Sequence, residues 1–152
     1  MEEKKPKFSV VNLMPGYVIG RNELAESSAK LRAGSNFVVL NLVTRVVNPN
    51  TVVGTVVDVR DTARVQVEAL DEEKVVGNYR SFVVERPVEL NDAVTIAKKA
   101  FPEAFEKGIL KGGSTNSVYQ AYEGKETKEI FGELRTYEMV KSVVGQFVEL
   151  ES

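Results

Sequence analysis

The stretch Phe37-Val-Val-Leu-Asn-Leu-Val-Thr-Arg-Val-Val-Asn-Pro-Asn-Thr-Val-Val-Gly-Thr-Val-Val57 contains the densest apolar run of the chain, and its reading decides the fold. Residues 37–44 are almost continuously apolar, which predicts a strand covered on both faces. Asn48-Pro49-Asn50 has turn composition, because Asn tolerates left-handed geometry and Pro presets the first turn dihedral. Residues 51–60 resume with Val52, Val53, Val56, Val57 and Val59, and Gly54 between them marks a bulge or a point of close approach.

Working outward, residues 63–70 alternate, with Val65, Val67 and Ala69 on one side and Arg64, Gln66 and Glu68 on the other. That period predicts a strand with one wet face. Asp71-Glu72-Glu73-Lys74 and Gly77-Asn78 read as turns, and residues 79–85 as a further strand stopped by Pro87. Residues 91–107 predict one or two helices: Asn91 or Asp92 caps, and Val94, Ala97, Ala100 and Phe101 recur at helical spacing. Pro102 opens a second turn or kinks the first, and Gly108 stops it. Lys111 to Ser117 reads as a loop, followed by short strands over 117–122, 133–140 and 143–150. Residues 22–33 predict a short helix with Asn22 as cap and Gly34 as stop.

Residues 1–20 mix charge, Pro6, the Pro15-Gly16 turn signal and a patch of Phe8, Val10, Val11, Leu13 and Met14. The segment reads as an arm lying against another surface, or as a first strand packed on its own domain. The expected fold is mainly β with a helical insertion (α+β): a small β-barrel or sandwich-like domain over 21–152, one or two helices at about 91–107, and an extended N-terminal arm over 1–20.

Composition narrows the chemistry. The chain has 152 residues, 43% hydrophobic and 28% charged, with a formal net charge of −2. One folded unit is expected. Histidine, cysteine and tryptophan are absent, which removes imidazole bases, thiolates, disulfides and the usual zinc ligands. No strong field is available to hold a polyanion, so neither nucleic acid nor an anionic membrane is expected as a partner. No signal peptide is evident, and no apolar run reaches the ~18 residues of a membrane helix. The 26 valines and mixed Glu and Lys charges are compatible with a thermostable protein.

Four sets of residues are candidates for chemistry. Gly108-Ile-Leu-Lys-Gly-Gly-Ser-Thr lacks the spacing of a phosphate loop and reads better as a connection, although its N–H groups have the means to cradle an anion. Asp58 and Asp61, beside Arg60 and Arg64, have the residue types for acid–base work or a divalent cation. They also fit acids paired to neighbouring arginines, the reading preferred here. Tyr119, Tyr122 and Tyr137 have the composition of a stacking platform without its positive charge. The lysines sit where solvated lysines sit, in turns, tails and an outward helix face, although a buried one would be a nucleophile. No catalytic, cofactor-binding or metal-ligating residue is assigned, and the expectation is that the protein is not an enzyme.

The 37–57 stretch, in which an apolar strand, a short basic hairpin and a Val-Val-Gly-x-Val strand follow one another, resembles the core of capsid decoration proteins of tailed bacteriophages. The resemblance implies a non-enzymatic structural virion protein, assembled in a host cytoplasm. It would be a homotrimer that binds the major capsid protein and cross-links capsid subunits. Phe8, Val10, Val11 and Leu13 would be the anchors of an arm that adds a strand to a partner's sheet. The alternatives are a tail-tube or tail-terminator subunit forming rings, a soluble small-ligand or protein-binding β-barrel, and an enzyme using the Asp58/Asp61 region or a lysine.

Overall fold

Residues 37–43, expected as a doubly covered strand, form a helix. The computed structural model describes residues 7–44, 47–84, 88–118, 124–135 and 137–152. In chain order these comprise β1 (Val11–Pro15), β2 (Tyr17–Ile19), α1 (Ser28–Arg32), a 3-10 turn (Gly34–Asn36), α2 (Phe37–Val43), β3 (Val47–Val53) and β4 (Val56–Asp58). There follow α3 (Val59–Glu68), β5 (Tyr79–Val83), α4 (Asp92–Ala100), α5 (Pro102–Glu106), β6 (Ser114–Val118), α6 (Lys125–Phe131) and α7 (Glu138–Glu151).

Helix outweighs strand, and the strands pair in twos. The ladders are β1 with β5, β2 with β4, and β3 with β6, all parallel. Parallel partners cannot be joined by a tight turn, so each ladder is closed by a crossover containing helix. Among the described residues no barrel closes.

The differences from expectation have local causes. In α2, Val38, Val39, Leu40, Leu42 and Val43 are all buried. A short run that is apolar on every side satisfies a buried helix as well as a buried strand. Residues 63–70 fall largely in α3, because the Asp58 carboxylate accepts the Arg60 N–H at 2.8 Å and starts a helix there. Asp61, Thr62 and Val65 face inward on that helix while Val67 is exposed, so the alternation of valines was not a strand period. Asn48-Pro49-Asn50 lies within β3, where the register shifts between Asn48 and Thr51. Residues 143–150 belong to α7, and 114–118 to β6. The arm is part of the body: 11–15 and 17–19 are strands of two ladders.

Two apolar clusters hold these elements. The larger gathers α2, the inner faces of α4 and α7, and Ile19, Leu31 and Leu110. The smaller contains Val57, Val65, Val75, Val83, Phe131 and Leu134, with Leu13 packed against it. The β1–β2 corner comes close to the chain after β3. A Cβ on Gly16 would stand 2.4 Å from the Thr55 carbonyl oxygen, so only glycine fits.

Leu40 is completely buried and Leu24 almost fully exposed. Leu40→Ala is expected to lower unfolding free energy in urea by about 2–5 kcal/mol, and Leu24→Ala to change it by less than about 0.5 kcal/mol.

Candidate functional site

Parallel strands direct their carboxyl ends toward one side, and the crevice outside those ends is where α/β folds bind ligands. At the carboxyl ends of β2 and β4 there is a cleft of about 270 Å³. Arg21, Asn22 and Glu23, which follow β2, line it together with Val59, which follows β4, and Ser35 and Asn36 from the 3-10 turn. Its wall therefore offers a guanidinium, a carboxylate, a hydroxyl, amide groups and an apolar valine. That inventory suits a small polar molecule bearing oxygen functions.

The backbone of this wall is fixed by two side-chain amides, each bonded to both polar groups of one residue. Buried Asn36 accepts the Gly20 N–H at 3.0 Å and donates to the Gly20 carbonyl at 2.9 Å. Buried Gln146, on α7, accepts the Asn22 N–H at 2.8 Å and donates to the Asn22 carbonyl at 2.8 Å. Arg21 lies between the two brackets. Its guanidinium pairs with Glu149 at 3.0 Å and Glu23 at 3.2 Å. The hydrogen bond that Arg21 donates to Glu149 and the charge of that carboxylate raise the Arg21 pKa, and Glu23 adds to this. Gly20 is obligatory, since a Cβ there would lie 2.4 Å from the Val59 side chain. One helix, α7, thus holds both the backbone and the cation of the cleft.

The Asp58/Asp61 region is a fastening. Asp58 and Asp61 are 0% and 1% exposed, and buried charges of this kind require partners. Asp58 pairs with the Arg60 guanidinium at 2.6 Å. Asp61 accepts the Arg135 backbone N–H at 2.5 Å and its Nη1 at 2.6 Å. Arg64 reaches the Phe131 and Glu133 carbonyls at 2.5 and 3.2 Å. These contacts tie α3 to the chain entering α7, and both carboxylates are occupied by arginines, as the preferred sequence reading had it. Among the described residues no group of acids converges as a metal site.

The remaining candidates separate. The 108–115 connection spends its donors on α2: Lys111 and Gly112 donate to the Val43 carbonyl at 2.9 and 3.1 Å, and Gly113 donates to the Leu42 carbonyl. Its N–H groups cap a helix end and do not cradle an anion. Tyr119 and Tyr122 lie outside the described residues, while the Tyr137 hydroxyl reaches Asp92 at 3.1 Å, linking α7 to α4. Phe8 and Val10 are exposed, Val11 lies at the margin of exposure, and Leu13 packs on the smaller cluster. Asn36, Gln146 and Arg135 were missed by sequence reasoning. Asn36 stood at the start of an expected strand and Gln146 inside another, and no local signal marks an amide that brackets a residue 124 positions away.

Fold and cleft together give an α+β unit of paired parallel strands with a polar cleft at the carboxyl ends of β2 and β4. The sequence matches no protein-family model. It is 32% identical over 160 residues to the ketoreductase CTB6 of Cercospora nicotianae, and 33% identical to the ketoreductase CTB6 of Cercospora beticola. Each match covers 99% of this chain and 44% of the relative, so the chain spans less than half the length of these curated relatives.

These matches overturn the resemblance to capsid decoration proteins, and with it the non-enzymatic virion role, the tail and β-barrel alternatives and the virion location. The residues that carried the resemblance form α2 and parallel strands, not a hairpin. The expectation of no enzyme fails because it rested on missing imidazole and thiol. In hydride chemistry a cofactor, rather than a side-chain nucleophile, carries the reaction. Among the described residues no helix is long and apolar enough to cross a membrane.

Gln146→Leu is expected to speed hydrogen exchange at the Asn22 amide and to cost about 1–3 kcal/mol, because it leaves the Asn22 N–H without an acceptor, while the Asn22 carbonyl keeps the Ala25 N–H. The Glu68 carboxylate is held below the usual glutamate range, chiefly by its hydrogen bond from Lys74 and then by Arg64. A lowered folded pKa means that the stabilisation is complete above the unfolded glutamate value and fades as pH falls through the folded one. Glu68→Gln should therefore lower stability at neutral pH and flatten its acid limb, as read by denaturation midpoints at descending pH.

Proposed function

We infer that this chain forms the substrate-side part of a carbonyl-reducing enzyme. The observation that carries the reading is the identity with two ketoreductases along 99% of the chain. The cleft at the carboxyl ends of β2 and β4 supports it by position and by the oxygen-binding groups on its wall.

Ketone reduction needs a hydride donor, and the residues here do not fit a dinucleotide. The sequence contains no G-x-G-x-x-G turn. Among the described residues the one direct passage from a parallel strand into a helix, β4 to α3, has the Asp58 carboxylate on its helix N-terminus, where a pyrophosphate would sit. A second anion there would meet a buried negative charge. The donor therefore binds on another part of the enzyme, and the work of this chain is to bind and orient the ketone. Arg21 and Ser35 supply donors toward an oxygen, Val59 an apolar wall, and the two brackets keep that wall from relaxing when the ligand enters.

The test is a chimera in which this chain replaces the matched segment of the C. nicotianae ketoreductase, assayed for ketone-dependent oxidation of a reduced nicotinamide. Turnover is expected, with Arg21→Ala raising KM more than it lowers kcat. A chimera that keeps native circular dichroism and binds the dinucleotide but turns over no ketone accepted by the parent enzyme would overturn the reading.

A further inference from the structure

Helices α4 and α7 pack on each other, and between them opens a groove of about 450 Å³ lined by Ile96, Lys99, Ala100, Tyr137 and Lys141. That volume lies within the range of small-molecule sites, about 300–1,000 Å³. Ile96 and Tyr137 are half-buried and pack on the larger apolar cluster, so the floor of the groove is the edge of the core. The Tyr137 ring is held in place by its hydroxyl, which reaches Asp92 at 3.1 Å. Ala100 is exposed and short, which leaves the floor uncovered. The other two lining residues are cations.

Those two cations lack the partners that lysines find elsewhere on this surface. Lys30, Lys74, Lys107, Lys125 and Lys128 each pair with a carboxylate, whereas among the described residues Lys99 and Lys141 have none. The acids of α4 and of the first turn of α7 are engaged otherwise. Asp92 holds the Tyr137 hydroxyl, and Glu138 reaches Arg60 at 3.6 Å and Arg135 at 3.9 Å. Lys98 is engaged too, lying over the Phe105 ring at 5.9 Å. Lys99 stands in the last turn of α4, where the helix dipole favours a cation, but Lys141 is the fourth residue of α7, toward the end where it does not. Helix electrostatics thus accounts for one lysine, while the groove brings both to a single apolar floor.

We propose that the α4–α7 groove binds a small amphipathic anion, with its apolar body on Ile96, Ala100 and the Tyr137 ring and its oxyanion head between Lys99 and Lys141. Charge complementarity selects the head, and the margin of the core selects the body. A free small molecule fits better than the other occupants. The net charge of −2 disfavours an anionic membrane surface, and five lining residues are far fewer than the 20–30 that a stable protein partner covers on each side. The site is independent of the reductase reading, since none of its residues lines the cleft at β2 and β4.

The experiment titrates the full chain at low salt with octanoate and with octyl phosphate, below their micelle concentrations, and follows amide chemical shifts. At least one probe should give saturable shifts centred on Ile96, Lys99, Ala100, Tyr137 and Lys141 that weaken as salt is raised. Octanol and acetate, which carry the body or the head alone, should bind much more weakly. Lys99→Met combined with Lys141→Met keeps both stems and removes both charges, and is expected to weaken binding about fivefold or more. Ala100→Leu keeps the cations and the helix propensity but fills the floor, and should abolish saturation. If a variant fails to fold, the comparison of the four probes on the unaltered chain decides. Absence of saturable shifts with both amphipathic anions overturns the proposal. So does octanol binding as tightly as they do, or binding indifferent to the double substitution, since the groove is then an apolar crevice only. Acetate matching octanoate would reduce it to a loose ion contact. Cosedimentation with phosphatidylserine vesicles that the double substitution removes, without shifts from either probe, would assign the lysines to a membrane surface and likewise overturn it.

Discussion

Two buried carboxylates organise this molecule. Asp58 and Asp61 sit at the first turn of α3 with no solvent to stabilise their charge, so guanidinium groups and backbone donors must be brought to them. Arg60 comes from the same first turn and Arg64 from the next. Arg135 comes from across the chain and carries its own N–H with it. That last contact fixes where α7 begins. Once α7 is set, Gln146 and Glu149 fall two and three turns further along, against the chain leaving β2. The polar node and the cleft are therefore one construction, with α7 as the rigid member between them.

The cleft is preorganised by means that leave its chemistry free. Asn36 and Gln146 each bind both backbone polar groups of one wall residue, Gly20 and Asn22. Neither needs to touch a ligand to control how one binds. Arg21 is held by two exposed carboxylates, pairs that solvent screens and that a ligand can replace at small cost. Fixed backbone with exchangeable side-chain partners is an arrangement suited to binding small oxygenated molecules.

Several elements were legible in the sequence for reasons that hold in the structure. The α4–α5 pair follows from helical spacing, with Pro102 at the first position of the second helix. The break at Gly54 between two valine-rich strands follows from the backbone freedom of glycine. The pairing of Asp58 with Arg60, and the longer contact of Asp61 with Arg64, follow from proximity in sequence. The apolar run at 37–43 and the alternation at 63–70 misled because their periods are short. Six apolar residues out of seven suit a buried strand and a buried helix equally well, and the balance was tipped by the Asp58 cap and by neighbours distant in sequence.

The sequence by itself determined which residues are apolar enough to be core, where turns interrupt them, and that this chain brings no imidazole or thiol. These are properties of composition and of neighbours a few positions apart. Tertiary structure alone decided that β2 and β4 lie side by side in parallel, that Arg135 answers Asp61, and that Gln146 closes on Asn22. Each of these joins residues separated by a crossover or by most of the chain. Their pairing is set by which helices can cover a parallel ladder and bury their apolar faces together, and no local pattern records that.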